Sequence, residues 1–185
     1  MYHPCVKYRV ETCVIALPRH RAVPLHVKGG IMKPAAPFWE KKSLQDMTQA
    51  EWEALCDGCG RCCLIKLEDE ETRTIMMTCV ACRYLDSDTC RCRYYEKRRE
   101  YAPQCLLLTP DTVDNYSWLP ETCAYRLISE GKSLPWWHHL VSGDPQSVHD
   151  AGISVRHKII SERYVHPSDF DAYITDVFGV PSHTP

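Results

Sequence analysis

The sequence predicts an α+β domain of several short helices, a small hairpin and long ordered loops. Three observations carry that reading. Helix-start signals stand at Thr48 and at Leu119-Pro120-Glu121. Two short apolar-rich segments, 64–68 and 73–78, are separated by acidic residues in the manner of a hairpin. Cysteine is the third: the 185-residue chain holds 12, and all except Cys5 and Cys13 lie between Cys56 and Cys123, too concentrated for ordinary core filling.

Taken in order, residues 1–31 look foreign to the rest of the chain, with scattered basic residues, three prolines and no amphipathic period. Lys28-Gly29-Gly30 is encodable by a purine-rich ribosome-binding sequence at a suitable distance before Met32, so translation is expected to start there. The alternative is a disordered basic arm. The expected division is therefore a leader at 1–31, a cysteine-cluster domain at 32–167, and a C-terminal helix and tail at 168–185. Thr48 as N-cap with Glu51 three residues on forms a capping box, and Met47 and Trp52 are spaced as a hydrophobic staple. That helix is expected to end at Cys56, where Asp57-Gly58 and Gly60 force loop geometry.

Beyond the hairpin, Asp86-Ser87-Asp88 reads as a turn and residues 94–101 as a helix closed by Pro103. The helix opening at Pro120 should stop at Gly131, with Cys123 in its first turn, where free amides favour a thiolate. A shorter helix is expected through Trp136, Trp137, His138 and His139, a strand over 153–160, and a last helix over 168–178.

Charge and hydropathy exclude some classes. The formal charge is −2; residues 1–31 carry five Lys or Arg against one Glu, a balance of +4, which leaves −6 for the rest. An acidic remainder argues against a general nucleic-acid-coating surface. No apolar run approaches the roughly 18 residues that span a bilayer, and Val14-Ile15-Ala16-Leu17 followed by Pro18 and Arg19-His20-Arg21 makes a poor secretory signal. The expected location is cytoplasmic. There, clustered cysteines point to metal or catalysis before disulfides.

Cys56, Cys59 and Cys62 form C-x-x-C-x-x-C with glycines between them, a spacing that lets a tight loop turn three sulfurs toward one centre. Ferredoxin loops begin the same way, but here the fourth position is Lys66, so a further ligand must come from a distance. Cys63 points away from its neighbour and suggests a second centre or a bridge. Cys90 and Cys92 would share a face in extended backbone, Cys79 and Cys82 make a C-x-x-C pair, and Cys105 and Cys123 stand singly. Without metal, gathering this many thiolates costs repulsion and desolvation. With it, a structural zinc site supplies roughly 10–16 kcal/mol. Disulfides and a free redox pair at Cys62-Cys63 are the competing readings, and Cys79 is balanced between ligand and buried small residue. His138-His139 reads as a surface or partner contact, and the mixed aromatic and cationic run at 91–101 as a solvated helix face more than a base-stacking one. No phosphate loop, nucleophile elbow or Ser/His/Asp set is present.

From Pro37 to about Val165 the chain resembles the bacterial YcgN-like cysteine-cluster family, whose hallmark is C-x-x-C-x-x-C-C. The matching stretches include PFWEKKSLQDM, EWEALCDGCGRCC, VACRYLDSDTCRC, WLPETCAYRL and GKSLPWWHHL. The resemblance implies a zinc- or iron-chelating domain. Its cysteines fall on Cys56, Cys59, Cys62, Cys63, Cys82, Cys90, Cys92, Cys105 and Cys123; Cys79 matches none of them. Over the motif alone the wider group is similar to flagellin lysine methylases that use an iron–sulfur cluster, although nothing here matches a methyl-donor site.

The function expected from all this is a cytosolic thiolate-ligated metal protein, with an iron–sulfur cluster (4Fe–4S) favoured over zinc because a glycine-bearing three-cysteine loop suits a cluster wrapped by amides. Cys56, Cys59, Cys62 and Cys123 form the first expected set, and Cys63, Cys82, Cys90, Cys92 and Cys105 supply the second. One alternative is a cluster-dependent protein-modifying enzyme with Tyr125, Arg126 and His138 about its pocket. Another is a zinc-stabilised RNA or protein adaptor using Arg91, Arg93, Lys97, Arg98 and Arg99. A protein partner is compatible with either; nucleic acid is disfavoured and no membrane is expected.

Overall fold

The computed structural model describes residues 36–177. The expected start at Met32, the 1–31 segment with Cys5 and Cys13, and the tail beyond Val177 lie outside the described residues. From Pro37 onward the chain forms one unit, and it is α+β: short helices, a three-stranded sheet and much ordered loop.

Helix α1 (Phe38–Lys41) and a 3-10 turn at Leu44–Asp46 lead to α2 (Gln49–Ala54). The expected capping box is present: the Glu51 amide donates to Thr48 Oγ1 at 3.3 Å, and the Thr48 amide donates to Glu51 Oε2 at 2.8 Å. These bonds satisfy amides that a helix start otherwise leaves orphaned. Met47 and Trp52 pack in one apolar cluster with Leu44, Leu55, Val113, Leu119, Tyr125 and Leu134, and the Trp52 and Tyr125 rings lie 4.5 Å apart.

Strands β1 (Leu64–Glu68) and β2 (Ile75–Ala81) make the expected hairpin. Its ladder slips. Lys66, Leu67 and Glu68 pair with Met77, Met76 and Ile75, but Leu64 pairs with Ala81, two residues farther along β2 than regular pairing would reach. Thr78, fully buried within the slip, donates its hydroxyl to the Ile65 carbonyl at 2.8 Å. A third strand, β3 (Ile160–Ser161), joins β2 in parallel, and Ile174 bridges Thr78.

Several elements differ from expectation. The helix at 94–101 is a 3-10 turn (Tyr95–Lys97) followed by α3 (Arg98–Tyr101). The helix from Pro120 is shorter: Pro120–Cys123 is a turn, and α4 (Ala124–Ser129) follows with Cys123 at its N-cap, stopping as expected before left-handed Gly131. Near the tryptophans, α5 (His139–Ser142) begins one residue after His138, and α6 (Ser147–Asp150) follows. The strand expected over 153–160 survives only as β3. Its backbone groups are taken elsewhere: the Val155 amide donates to the Cys59 carbonyl at 2.9 Å, and the Ile153 carbonyl accepts from Arg61 Nε at 2.7 Å. The last helix is a 3-10 stretch, Pro167–Tyr173. No helix among the described residues is long and apolar enough to cross a membrane.

Candidate metal centre

Helix α2 delivers Cys56, whose amide donates to the Glu53 carbonyl at 3.2 Å. The chain then enters the loop 56–63. Gly58 and Gly60 both have φ +76°, a left-handed conformation that side chains disfavour. They are also crowded. A Cβ on Gly58 would lie 2.9 Å from the Arg91 guanidinium, and one on Gly60 would lie 2.7 Å from Val155 Cγ2. At Gly60 conformation and crowding both favour glycine, while at Gly58 the left-handed φ does so and the flexible Arg91 side chain could shift; together the two turns let the loop wrap tightly. Arg61, buried, anchors it at two points: Nε on the Ile153 carbonyl and Nη1 on Thr122 Oγ1 at 3.3 Å. The second bond brings the start of α4, with Cys123, beside the loop.

Amides inside this loop and at α4 point at sulfur. The Gly58 amide donates to Cys56, the Arg61 amide to Cys59, and the Tyr125 and Arg126 amides to Cys123. Burial nonetheless dominates. It pushes the Cys56 thiol up to about 12 and the Cys123 thiol up to about 12, and holds Cys59 well above its ordinary value, with Cys62 adding in each case. These thiols are protonated near neutrality, and a metal ion would have to displace the protons. Cys62, exposed at the edge, goes the other way, down to about 7, because the Cys63 thiol donates to it and the Lys66 ammonium is near.

Asp57 lies among these sulfurs. It is buried, its Oδ1 accepts from the Cys59 amide at 3.0 Å, and its Oδ2 has no hydrogen-bond partner among the described residues. A buried carboxylate oxygen without a partner costs several kcal/mol unless a cation is supplied. Arg61, Lys66 and Arg91 surround the same loop. Lys66, where the ferredoxin pattern has cysteine, donates to the carbonyls of Arg61, Cys62 and Leu64 and lies over the Trp118 ring. Four thiolates outnumber the charges of a divalent ion, so a ring of cations suits a thiolate-bound metal. Sequence reading missed Asp57 and Arg61 as site residues and considered Arg91 only for an adaptor surface; the signal was charged residues beside cysteines at 57, 61 and 91.

The remaining predicted cysteines divide. Cys63, Cys82, Cys92 and Cys105 lie in one neighbourhood, each within the electrostatic reach of at least two others. Cys90 does not join them. It has φ +54°, is buried with Leu64, Cys79, Ala81, Leu85 and Val155, and its sulfur accepts from Ser154. The extended backbone expected to set Cys90 and Cys92 on one face is therefore absent, because Cys90 turns left-handed to pack behind Gly60. Cys79 shares that apolar cluster. Among the described residues, no three His, Cys, Asp or Glu side chains already stand as a group that could hold a metal ion. The sulfurs are gathered, not closed.

The residues expected around an enzymatic pocket are otherwise engaged. His138 is fully buried, a correction to its reading as a surface or partner contact. Its Nδ1 accepts from the Leu140 amide at 3.2 Å, so Nε2 carries the proton and donates to the Leu55 carbonyl at 3.0 Å. Tyr125 is part of the apolar cluster, and Arg126 is bonded to Glu130 and to the Leu119 carbonyl. Of the cations considered for an adaptor surface, Arg93 pairs with Asp86 at 3.1 Å and Arg98 lies over the Tyr95 ring. A cavity of about 470 Å³ between Trp39 and Ile128 has no cysteine in its walls, and one of about 390 Å³ is bordered by Cys82, Arg83 and Arg93.

Residues 55–124, which span all nine predicted ligands, match a family model, CxxCxxCC, described as "Putative zinc- or iron-chelating domain". A UPF0260 protein of Allorhizobium ampelinum is 54% identical over 140 residues, covering 76% of this chain and 88% of that protein. Another, from Marinobacter nauticus, is 56% identical over 138 residues, covering 75% and 93%. The chain belongs to the UPF0260 family. A third member, from Granulibacter bethesdensis, is 56% identical over 136 residues, covering 74% of this chain and 82% of its own length. No solved structure matches. For a UPF0260 protein, the chelating-domain description thus covers the cysteine loop together with the hairpin and the later cysteines through Cys123, and the tight glycine turns above are what shape that loop.

Proposed function

We propose that this UPF0260 protein is a cytoplasmic metal protein in which Cys56, Cys59, Cys62 and Cys123 ligate an iron–sulfur cluster. The observation that carries the reading is the convergence of four thiols, each receiving a backbone amide, beside Arg61, Lys66 and Arg91. Amide donors on sulfur and a surrounding positive field are the means by which proteins hold clusters and tune their potentials.

When bound, such a cluster supplies one-electron chemistry. The chain's own residues set the conditions for it. Arg61 and Lys66 offset thiolate charge from the protein side, and the half-buried positions of Cys59 and Cys123 limit the access of water to the inner sulfurs. Cys62, exposed, leaves one edge open to solvent or to a partner.

Anaerobic purification of the full chain tests this. Brown protein with broad visible absorption, acid-labile sulfide and iron is the expected outcome. Colourless protein holding stoichiometric zinc would overturn the cluster assignment, and protein without either metal would overturn the whole reading.

A further inference from the structure

We infer that the chain builds a second four-thiolate metal centre, adjoining the first, from Cys63, Cys82, Cys92 and Cys105, and that Cys90 is a packing residue outside it. The inference rests on the reading of the clustered thiols as metal ligands, and assigns the ones which that reading leaves over.

The ladder slip in the hairpin comes first. Regular pairing from Lys66–Met77 would set Val80 opposite Cys63. Because β2 has two extra residues between Met77 and Ala81, Cys82 stands there instead, and its amide donates to the Cys63 carbonyl at 2.9 Å. Residues directly opposite in an antiparallel pair have Cβ atoms about 4.5–5.5 Å apart, close enough for both sulfurs to reach one ion at about 2.3 Å.

The next two members arrive by independent routes. A turn from Cys82 to Leu85 (Leu85 amide to Cys82 carbonyl, 3.0 Å) folds the chain into a second hairpin. In it Leu85 bridges Cys92, and the Arg93 amide donates to the Tyr84 carbonyl at 2.9 Å. Tyr101 then stacks on Tyr94 at 4.2 Å and lies 6.0 Å from Tyr84. The turn after it, with the Cys105 amide on the Ala102 carbonyl at 2.8 Å, leads to Cys105, which lies within the electrostatic reach of Cys63, Cys82 and Cys92. The electrostatics link the same four, since Cys82 and Cys105 both act on Cys63 and Cys92 acts on both Cys82 and Cys105, with Cys62 reaching Cys63 and Cys105 from the neighbouring set.

Cys62 and Cys63 belong to different sets and meet at their boundary, where the Cys63 thiol donates to Cys62. Cys90 lies within the apolar cluster, against which Cys63 packs from its edge, and its sulfur is taken by Ser154. The four sulfurs need only to close. Rotation of a cysteine between staggered positions carries its sulfur about 3 Å. Four thiolates in tetrahedral array take zinc or iron.

The test measures iron and zinc per chain in the full-length protein and in four variants. Cys92→Ser and Cys105→Ser are expected to lose one centre's metal and keep the other's, Cys59→Ser to show the reverse loss, and Cys90→Ala to keep both. Full metal retention in Cys92→Ser and Cys105→Ser, or loss in Cys90→Ala equal to that in Cys92→Ser, overturns the inference. Should those variants not fold, iodoacetamide labelling of the wild-type chain replaces them. Cys82, Cys92 and Cys105 are expected to label at least tenfold faster after chelator treatment, and equal rates before and after overturn the second centre. Wild-type protein with no metal would sink the proposed function itself. Metal that vanishes entirely in Cys59→Ser and is untouched in Cys92→Ser sinks the second centre alone.

Discussion

Around α2 and α4, hydrocarbon is buried against hydrocarbon: Trp52, Leu55, Leu119 and Tyr125 close on one another, and the helix start is capped by side chains in register. Around the loops at 56–63, 82–92 and 105, mostly half-buried sulfurs stand with a buried carboxylate and a buried guanidinium, beside a smaller apolar cluster of Leu64, Leu85 and Val155. The first region is stable for the ordinary reason, removal of apolar surface from water. The second gathers groups that lose solvation and repel when charged, so under the proposed function its stability comes from what it binds. One chain therefore contains a self-sufficient half and a dependent half, joined at Cys56.

Five experiments press on that difference. Cys59→Ser should have the largest effect, because losing a thiolate-bound metal forfeits stabilisation on the order of 10 kcal/mol; the loops should open, as read by protease cleavage within 56–105, with metal released. If the variant melts like wild type, the dependent half is not dependent. Trp52→Ala should cost about 3–5 kcal/mol through cavity formation while metal content per folded chain stays unchanged. Gly60→Ala should cost about 2 kcal/mol, from the left-handed φ and the 2.7 Å approach to Val155; it should also lower metal content, which Trp52→Ala should not. Thr48→Ala, removing the cap alone, should cost about 1 kcal/mol in denaturant unfolding.

The smallest effect is with pH. Burial lowers the pKa of His138, His139 and His149 below the ordinary value of 6.5. The unfolded chain then binds more protons, so these histidines contribute stability that is complete above about 6.5 and is lost as pH falls through their lowered values. The urea midpoint should decrease from pH 7.5 to pH 5.5, and less so in His149→Asn; identical midpoints would mean that the histidines are solvated.

The self-sufficient half was the more legible in sequence. Thr48, Glu51, Met47 and Trp52 act through contacts three to five residues apart, and such local rules operate wherever the chain goes. Gly131 ended α4 for the same reason. In the dependent half, the loop at 56–63 was readable from its spacing, but the placing of Cys90 was not: its neighbours Val155 and Gly60 come from distant segments, and its positive φ answers to them. The strand expected at 153–160 failed likewise, since Arg61 and Cys59 claim its hydrogen bonds from about ninety residues away. His138, read as a surface residue beside two tryptophans, is buried because the Leu55 carbonyl at the end of α2 needs a donor.

The slip between Met77 and Ala81 makes β2 a vernier. Its length, and not the identity of any side chain in it, decides which residue is set against Cys63. Excising two residues from 78–80 would even out the ladder and still leave Cys82 facing Cys63, whereas excising one would swing Cys82 to the other side of the sheet, since side chains alternate along a strand. In this protein a backbone count therefore does the selecting, and the parity of an insertion or deletion there is expected to matter more than many exchanges of one residue for another.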